Sequence, residues 1–232
     1  MLKVNQLSKS FGHKNAVKQL SFRVETSQVY CLLGGNGAGK TTTLNMLLGF
    51  IEPDSGYAEF NSIDLWKDRR VIQKSIFYLP ENINLYSELT AIENLKYLTQ
   101  LSGLTIDEAT IKKALIECGL AEQAHNKSTR AFSKGMRQKA GLALARLKDA
   151  KLLLLDEPTS GLDPSATYEF VQLIQRLKAQ GATIVMITHD LQCACLLADE
   201  IGILQAGKLV QNITNNDLTL EKLEQYYFQS TI

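Results

Sequence analysis

The chain has 232 residues, of which 45% are hydrophobic, enough apolar material for the core of one domain or of two closely packed lobes. Its 25 basic and 24 acidic residues nearly cancel, so its charge gives no indication of a nucleic-acid partner. No stretch reaches the ~18 consecutive apolar residues of a membrane span, and the opening MLKVNQLSKSFG lacks the apolar segment of a signal peptide. We expect a cytoplasmic protein, any membrane role of which depends on a partner.

The first part of the chain is predicted to be rich in strands. Residues 1–25 alternate apolar and polar positions around a turn at FGHKN, which is typical of antiparallel strands. VYCLL (29–33) predicts a short buried strand, and TTTLNMLLG predicts a helix that ends at Gly49. EPDSG predicts a turn, after which YAEFNSIDL and SIFYLP (75–80) return to strand.

The pattern becomes helical at about residue 87 and stays so to 150, which predicts an inserted helical lobe. KLLLLDE and TIVMITHD then predict strands separated by the helix ATYEFVQLIQRLKAQG, and IGILQAGKLVQN predicts a hairpin with its turn at QAGK. Strands alternating with helices indicate a mainly parallel sheet. We therefore expect one α/β domain over 1–232, with a core of 1–86 and 151–215, a helical lobe of 87–150 and a short C-terminal tail of 216–232.

A phosphate-binding loop is predicted at GGNGAGKT, which fits G-x-x-x-x-G-K-[ST] and has the required strand before it and helix after it. Its glycines let successive N–H groups turn towards phosphate oxygens. Lys40 places a cation at the β- and γ-phosphates, where it also serves catalysis, and the Thr41 hydroxyl can ligate Mg²⁺. A glycine-rich turn of chance composition would not explain both the motif and its flanks. The predicted nucleotide-binding residues of this loop are Gly34, Gly35, Asn36, Gly37, Ala38, Gly39, Lys40, Thr41 and Thr42.

Polar side chains end two later strands. LLLLDE ends in Asp156, predicted to hold Mg²⁺ through water, and Glu157, predicted to polarise the attacking water. A solvated strand end is the alternative until the phosphate-binding loop is added. His189 ends the buried strand TIVMITH and is predicted to bind a γ-phosphate. His13 and His125 lie in polar turns, where we expect them to be solvated.

FSKGMRQK predicts a second anion-binding helix start, well downstream of the first. Ser133 supplies an oxygen cap and Gly135 allows close approach to unpaired N–H groups. An ordinary capped helix would account for Ser133 but would leave Gly135 without a purpose.

The four cysteines are scattered, and we expect them to be reduced, buried thiols. Cys193 and Cys195 form a C-x-C pair, which is a possible metal-binding arrangement. In the helix that DLQCACLLADE suggests, neighbours at i and i+2 point to different faces and chelate poorly.

Together these motifs resemble the nucleotide-binding subunit of an ATP-binding-cassette (ABC) transporter from residue 2 to about 215. The matching elements are the phosphate-binding loop, LLLLDEP, SGLD at 160–163, His189, and FSKGMRQK at the place of the family signature LSGGQ. The resemblance implies a head-to-tail dimer, in which each signature helix faces the partner's phosphate-binding loop. It assigns the signature acting in trans to Ser133, Lys134, Gly135 and Met136, and a dimer loop to Gly161 and Asp163.

The chain departs from the family pattern at several positions. Gly35 replaces the usual Pro, and Lys134 replaces the first Gly of the signature. Glu81 in YLPENINLY stands where most members carry Gln; it can still ligate Mg²⁺ but adds a negative charge. Phe11 occupies the place of an aromatic that stacks on adenine, and a buried strand-end aromatic is the alternative.

The resemblance implies an ATPase that uses ATP and Mg²⁺, pairs with a second copy or a paralogous subunit, and powers a separate permease, mostly for export, from the cytoplasmic face of the membrane. LPEN and SKGMRQ are similar to the ATPases of transporters that mature nitrous oxide reductase, although multidrug, antibiotic-resistance and gliding members share this wording. A soluble ABC ATPase acting as an assembly or remodelling factor is the alternative. A plain P-loop kinase would need neither FSKG nor SGLD.

Overall fold

The computed structural model describes residues 1–229, in which two sheets organise the chain. The smaller sheet is antiparallel, in the order β2-β1-β4-β5, and it confirms the predicted antiparallel N-terminal lobe. Asn61 and Ser62 take positive φ angles of 50° and 64°, which split the expected strand YAEFNSIDL into two. The strands of this sheet are β1 Leu2–Phe11, β2 Lys14–Val24, β4 Ser55–Phe60 and β5 Ile63–Asp64.

The larger sheet has the order β10-β9-β3-β8-β7-β6 and is parallel except for β10, which confirms the predicted mainly parallel sheet. Its strands are β3 Val29–Leu33, β6 Ile76–Leu79, β7 Leu152–Asp156, β8 Thr183–Thr188, β9 Glu200–Gln205 and β10 Lys208–Thr214. Because carboxyl ends of neighbouring parallel strands meet at one edge, the segments that follow β3, β7 and β8 share that edge.

The helices flank this sheet and fill the predicted inserted lobe. Within residues 1–229, the region 87–150 is helical, with no strand pairing except one isolated bridge between Thr90 and Ser128. The helices are α1 Lys40–Leu47, α2 Arg69–Ile72, α3 Ala91–Leu101, α4 Glu108–Glu117, α5 Glu122–His125, α6 Lys134–Leu147, α7 Pro164–Ala179, α8 Leu191–Leu197 and α9 Leu220–Gln229. Among these residues, no helix has the length and apolar character needed to cross a bilayer.

Two cores lie on opposite faces of the larger sheet, and β3 contributes to both. Val29, Cys31 and Leu33 join the core shared with the helices, whereas Tyr30 and Leu32 join the core shared with the antiparallel sheet and α1. This follows from the alternation of side chains along a strand. The segment after β3 therefore leaves from a strand buried on both faces, which fixes its starting point.

The two histidines that were expected to be solvated differ in the structure. His125 is only 3% exposed and its Nε2 lies 3.0 Å from the carbonyl oxygen of Leu120, so the expectation that it is solvated is wrong. Its polar neighbours in sequence gave no sign of the packing that covers it. His13 is exposed, as expected.

Three of the thiols are buried and Cys195 is partly buried. Residues 1–229 contain no cluster of side chains suited to hold a metal through protein ligands alone.

The segment expected as a tail, 216–232, contains the helix α9, while 230–232 lie outside the described residues. Leu223 on α9 is fully buried in the core on the helical side of the sheet. Cys195 Sγ also donates to the carbonyl of Leu218 just before α9. The described part of this segment is therefore packed onto the domain.

Candidate functional site

The loop between β3 and α1 has a backbone that only glycine can supply at two positions. A Cβ on Gly39, whose φ is 109°, would lie 2.4 Å from the oxygen of Ala16, and one on Gly34 would lie 2.6 Å from the oxygen of Leu204. The N-cap of α1 is Gly39, and no side chain caps this helix. Its first-turn N–H groups are therefore available to an anion, as a phosphate-binding loop requires.

A cavity of about 390 Å³ lies over this loop. Of the residues predicted from sequence it is lined by Phe11, Gly35, Asn36, Gly37, Ala38, Gly39, Lys40, Thr41, Thr42, Glu81, Asp156 and Glu157. Lys14 and Ala16 also line it and were not predicted. The pairing of Phe11 with Lys14 across the first hairpin is the signal that could have found Lys14, because it places the two side by side.

Phe11 ends β1 with half of its surface exposed, so the alternative of a buried strand-end aromatic is wrong. The ring faces the cavity, and the Lys9 ammonium lies 5.8 Å from its centroid. An exposed aromatic face at the rim of a phosphate-binding cavity can stack on a planar base.

Asp156 ends β7 beside the loop and is half-buried. Burial raises its pKa; the hydroxyl of Tyr78, which donates to Oδ2 at 3.1 Å, opposes that rise, while the negative charges of Glu157 and Glu81 add to it. A divalent cation would relieve this crowding of carboxylates. Thr41, Glu81 and Asp156 offer only hydroxyl and carboxylate oxygens, the donors that Mg²⁺ prefers, so the residues present fit this metal.

Glu157 is held in place by its backbone and by its side chain. Its φ of 44° is in the left-handed region, and its N–H donates to the carbonyl of Ile187 at 2.9 Å. Its Oε2 accepts hydrogen bonds from Thr188 Oγ1 at 3.0 Å and from the backbone N–H of His189 at 3.3 Å, and the ring Nδ1 of His189 lies 2.9 Å from the same oxygen. Its Oε1 lies 3.5 Å from the Lys40 ammonium. The structure thus brings the two carboxylates, the lysine and the histidine together.

The four signature residues lie elsewhere. Ser133 is the N-cap of α6, and its Oγ accepts from the N–H of Met136 at 3.2 Å. Neither these residues nor Lys134 and Gly135 line the cavity over the phosphate-binding loop. A Cβ on Gly135 would meet only ordinary contacts, the nearest at 3.5 Å from Ala166. Within one chain the two anion-binding helix starts do not form one site.

The segment SGLD connects the two regions. Gly161 has a φ of 67° with open space around it, and Asp163 caps α7 by accepting from the N–H of Ala166 at 2.9 Å. Ser160 donates to Oε1 of Glu81 at 3.1 Å, and the Lys134 ammonium lies 3.8 Å from the same oxygen. Sequence reasoning did not foresee these contacts of Glu81, because the three residues are far apart along the chain.

Comparison with known proteins agrees with this geometry. The family model described as ABC transporter matches residues 17–160. The lantibiotic transport ATP-binding protein SrtF of Streptococcus pyogenes is 34% identical over 96% of this chain and 99% of its own length. The bacitracin transport ATP-binding protein BcrA of Bacillus licheniformis is 37% identical over 99% of this chain and 74% of its own length.

Solved structures show the same fold. An ATP-binding subunit of an ABC transporter superposes with a TM-score of 0.83 at 31% identity, covering 98% of this chain and 99% of that one. A dimeric bacterial ABC transporter cassette superposes with a TM-score of 0.82 at 22% identity, covering 93% and 99%, and shows the fold alone. The family match, the two relatives and the cavity over a glycine-rich loop lead to one conclusion: this chain belongs to the ABC transporter family, as an ATP-binding subunit with ATPase activity.

Proposed function

We propose that this ATPase works as a nucleotide-dependent, head-to-tail dimer beneath a separate membrane permease, with Mg²⁺ accompanying ATP. One observation carries the dimer: the cavity over the phosphate-binding loop lacks Ser133 and Gly135, although both stand at a helix start suited to an anion. A second copy in the opposite orientation supplies that helix start. That a cassette of the same fold is dimeric supports the formation of a dimer.

In each pocket the loop from Gly34 to Thr42 binds the phosphates, Lys40 lies beside the β- and γ-phosphates, and Phe11 stacks on adenine. Thr41 and Asp156 would hold Mg²⁺, with Glu81 lining the same cavity. When bound, the metal neutralises charge on the β- and γ-phosphates. The half-buried position of Asp156 favours this role, because a nearby cation stabilises its ionised form.

Glu157 acts as the base that accepts the proton of the attacking water. In this structure its Oε1 is only 3.5 Å from the Lys40 ammonium. Phosphates bound to the loop draw Lys40 towards themselves, which frees that oxygen to accept a proton. The Nδ1 side of the His189 ring lies 2.9 Å from Glu157 Oε2, so its Nε2 is left to contact the γ-phosphate.

The permease binds in a second groove, of about 330 Å³, between the core and the helical lobe. Ile83 and Leu85 provide apolar surface there, and Arg130 and Arg137 provide positive charge.

Export is supported by the Nod factor export ATP-binding protein I of Rhizobium etli, which is 34% identical, whereas the names of SrtF and BcrA describe transport of a lantibiotic and of bacitracin. Binding to a permease places this chain at the cytoplasmic face of the membrane. These names give different cargoes. We assign no cargo to this chain, because the site described here binds nucleotide.

Sedimentation of the purified Glu157→Gln chain tests the dimer. We expect a monomer without nucleotide and a dimer with Mg-ATP; a dimer that ignores nucleotide would contradict the proposal. Affinity purification from the native membrane tests the partner. We expect a polytopic membrane protein in equal amount, and recovery of water-soluble partners alone would instead support an assembly or remodelling factor.

A further inference from the structure

Glu81 lies between the nucleotide cavity and the groove beside the helical lobe. Among residues 1–229 it alone lines both the cavity over the phosphate-binding loop and the groove between core and helical lobe. Its Oε1 accepts from Ser160 and lies 3.8 Å from the Lys134 ammonium. No hydrogen bond or ion pair of the described residues engages its Oε2. One carboxylate therefore joins the end of β6, the loop after β7 and the start of α6, and keeps one oxygen available.

Lys134 has an electrostatic reason to need that carboxylate. It is the first residue of α6, where the helix dipole already places positive charge, and the first turn contains no acidic residue. Arg137 adds a second cation one turn later. The Lys134 side chain is 24% exposed, so water screens it only in part. Glu81 is the acidic side chain that pairs with it in the described structure.

Glu81 in turn lies among carboxylates. Burial and the charge of Glu157 raise the pKa of Asp156, and the negative charge of Glu81 raises it further. Glu81 and Asp156 also line the same cavity, so Glu81 lies on the side of the pocket that would hold the metal. A divalent cation on Asp156 attracts Glu81 as well, and it competes with Lys134 for the same carboxylate.

We propose that Glu81 and Lys134 form a charge pair that couples the two nucleotide sites of the dimer. A divalent cation that accompanies nucleotide in a chain's own pocket would draw Glu81 away from Lys134. The freed ammonium, at the tip of the signature helix, then binds the phosphates in the partner's pocket. The inference rests on the proposed dimer, and it makes occupancy of either site favour binding at the other, since such coupling is reciprocal.

ATP titration in EDTA tests the pair, because without metal any ligand role of Glu81 is silent. The parent is the full Glu157→Gln chain, and the dimer is measured by sedimentation. Adding Glu81→Gln removes the partner of Lys134 in advance. We expect it to lower the ATP concentration for half-maximal dimer by roughly three- to fivefold, the size of one partly exposed ion pair. A side chain with a merely structural role would weaken the dimer instead.

Two further variants test whether Glu81 acts through Lys134. Combined with Lys134→Met, Glu81→Gln is expected to have no effect in EDTA, whereas combined with the matched control Arg137→Met it keeps its full effect. A parent that stays monomeric even with Mg-ATP would overturn the dimer and the coupling together. A parent dimer in which Glu81→Gln is neutral or harmful, or acts equally without Lys134, would overturn the coupling alone.

Discussion

Glu157 occupies a backbone conformation that a side chain with a Cβ normally avoids. A non-glycine residue in the left-handed region costs about 1 kcal/mol or more, and it persists only where its surroundings hold it. Here the holding groups are Ile187, Thr188 and His189, all at the end of β8. The strain directs the carboxylate towards Lys40 rather than into solvent.

Replacing Glu157 by Gln should leave ATP binding intact and slow hydrolysis by roughly 100-fold or more, because an amide cannot accept the proton of the attacking water. Phosphate release and fluorescent-nucleotide binding measure the two quantities. Glu52→Gln, in an exposed turn, is the control and should match the wild type. Turnover of Glu157→Gln within a few-fold of wild type would mean that another group is the base.

The ionised side chain of Asp156 should lower the stability of the folded chain, because it is half-buried. Because burial raises its pKa in the folded state, the unfolded chain ionises first as the pH rises, and stability is lost above the ordinary pKa of Asp. Asp156→Asn should therefore raise the melting temperature at pH 7.5 and raise it less at pH 4. Thermal unfolding of both chains, with the exposed Asp68→Asn as control, measures this. A gain that is independent of pH would contradict it.

At the scale of the element, the turns and caps carry much of what sequence could predict. A strand, a glycine-rich turn and a helix identify the phosphate-binding loop because each has a local signature, and the structure has them at Val29–Leu33 and Lys40–Leu47. Helix α9 escaped prediction, since in residues 1–229 its only fully buried side chain is Leu223.

Contacts between residues far apart in the sequence could not be predicted, for a different reason. Tyr78 bonds Asp156, and Ser160 bonds Glu81, over separations of 78 and 79 residues. No local pattern encodes such pairs, which depend on strand order. The roles of Glu157, His189 and the signature stay predictions, whereas the fold and the family are confirmed.

Asp163 has two expected roles, as the N-cap of α7 and in the dimer loop, and two substitutions can distinguish them. Its carboxylate caps α7, so Asp163→Ala should lower the free energy of unfolding by about 1 kcal/mol, whereas Asp163→Asn, also a good cap, should change it little. If the dimer loop needs the negative charge, Asp163→Asn should still weaken the ATP-dependent dimer. Urea unfolding and sedimentation measure the two effects. Equal dimers in wild type and Asp163→Asn would leave this residue only its capping role.

At the scale of the whole molecule, the phosphate-binding loop and the predicted signature lie apart within one chain, and the proposed dimer would bring them together. This makes complementation possible. Lys40→Ala removes the cation of the loop and keeps the signature, while Gly135→Asp places a carboxylate where phosphate must approach and keeps the loop. Since a Cβ at Gly135 meets only ordinary contacts, the second variant should fold.

Each variant alone should form neither a nucleotide-dependent dimer nor active sites. Mixed, the two chains should restore the dimer, because one of its two sites combines an intact loop with an intact signature. Sedimentation with Mg-ATP, and hydrolysis as a second readout, compare the mixture with each chain alone. Normal hydrolysis by Gly135→Asp on its own, or a mixture that restores neither dimer nor activity, would show that this stretch does not act in trans.

The buried thiols have a practical consequence. Burial raises the pKa of Cys118 and of Cys193 to about 12, and it also raises the pKa of Cys31 and Cys195. Only the thiolate reacts with maleimides. An exposed cysteine has a pKa near 8.5, so a thiol with a pKa near 12 contains about three-thousandfold less thiolate at neutral pH. A single cysteine introduced on the surface would accept a fluorophore far faster than Cys118 or Cys193, and subunit association could then be followed in real time through that label.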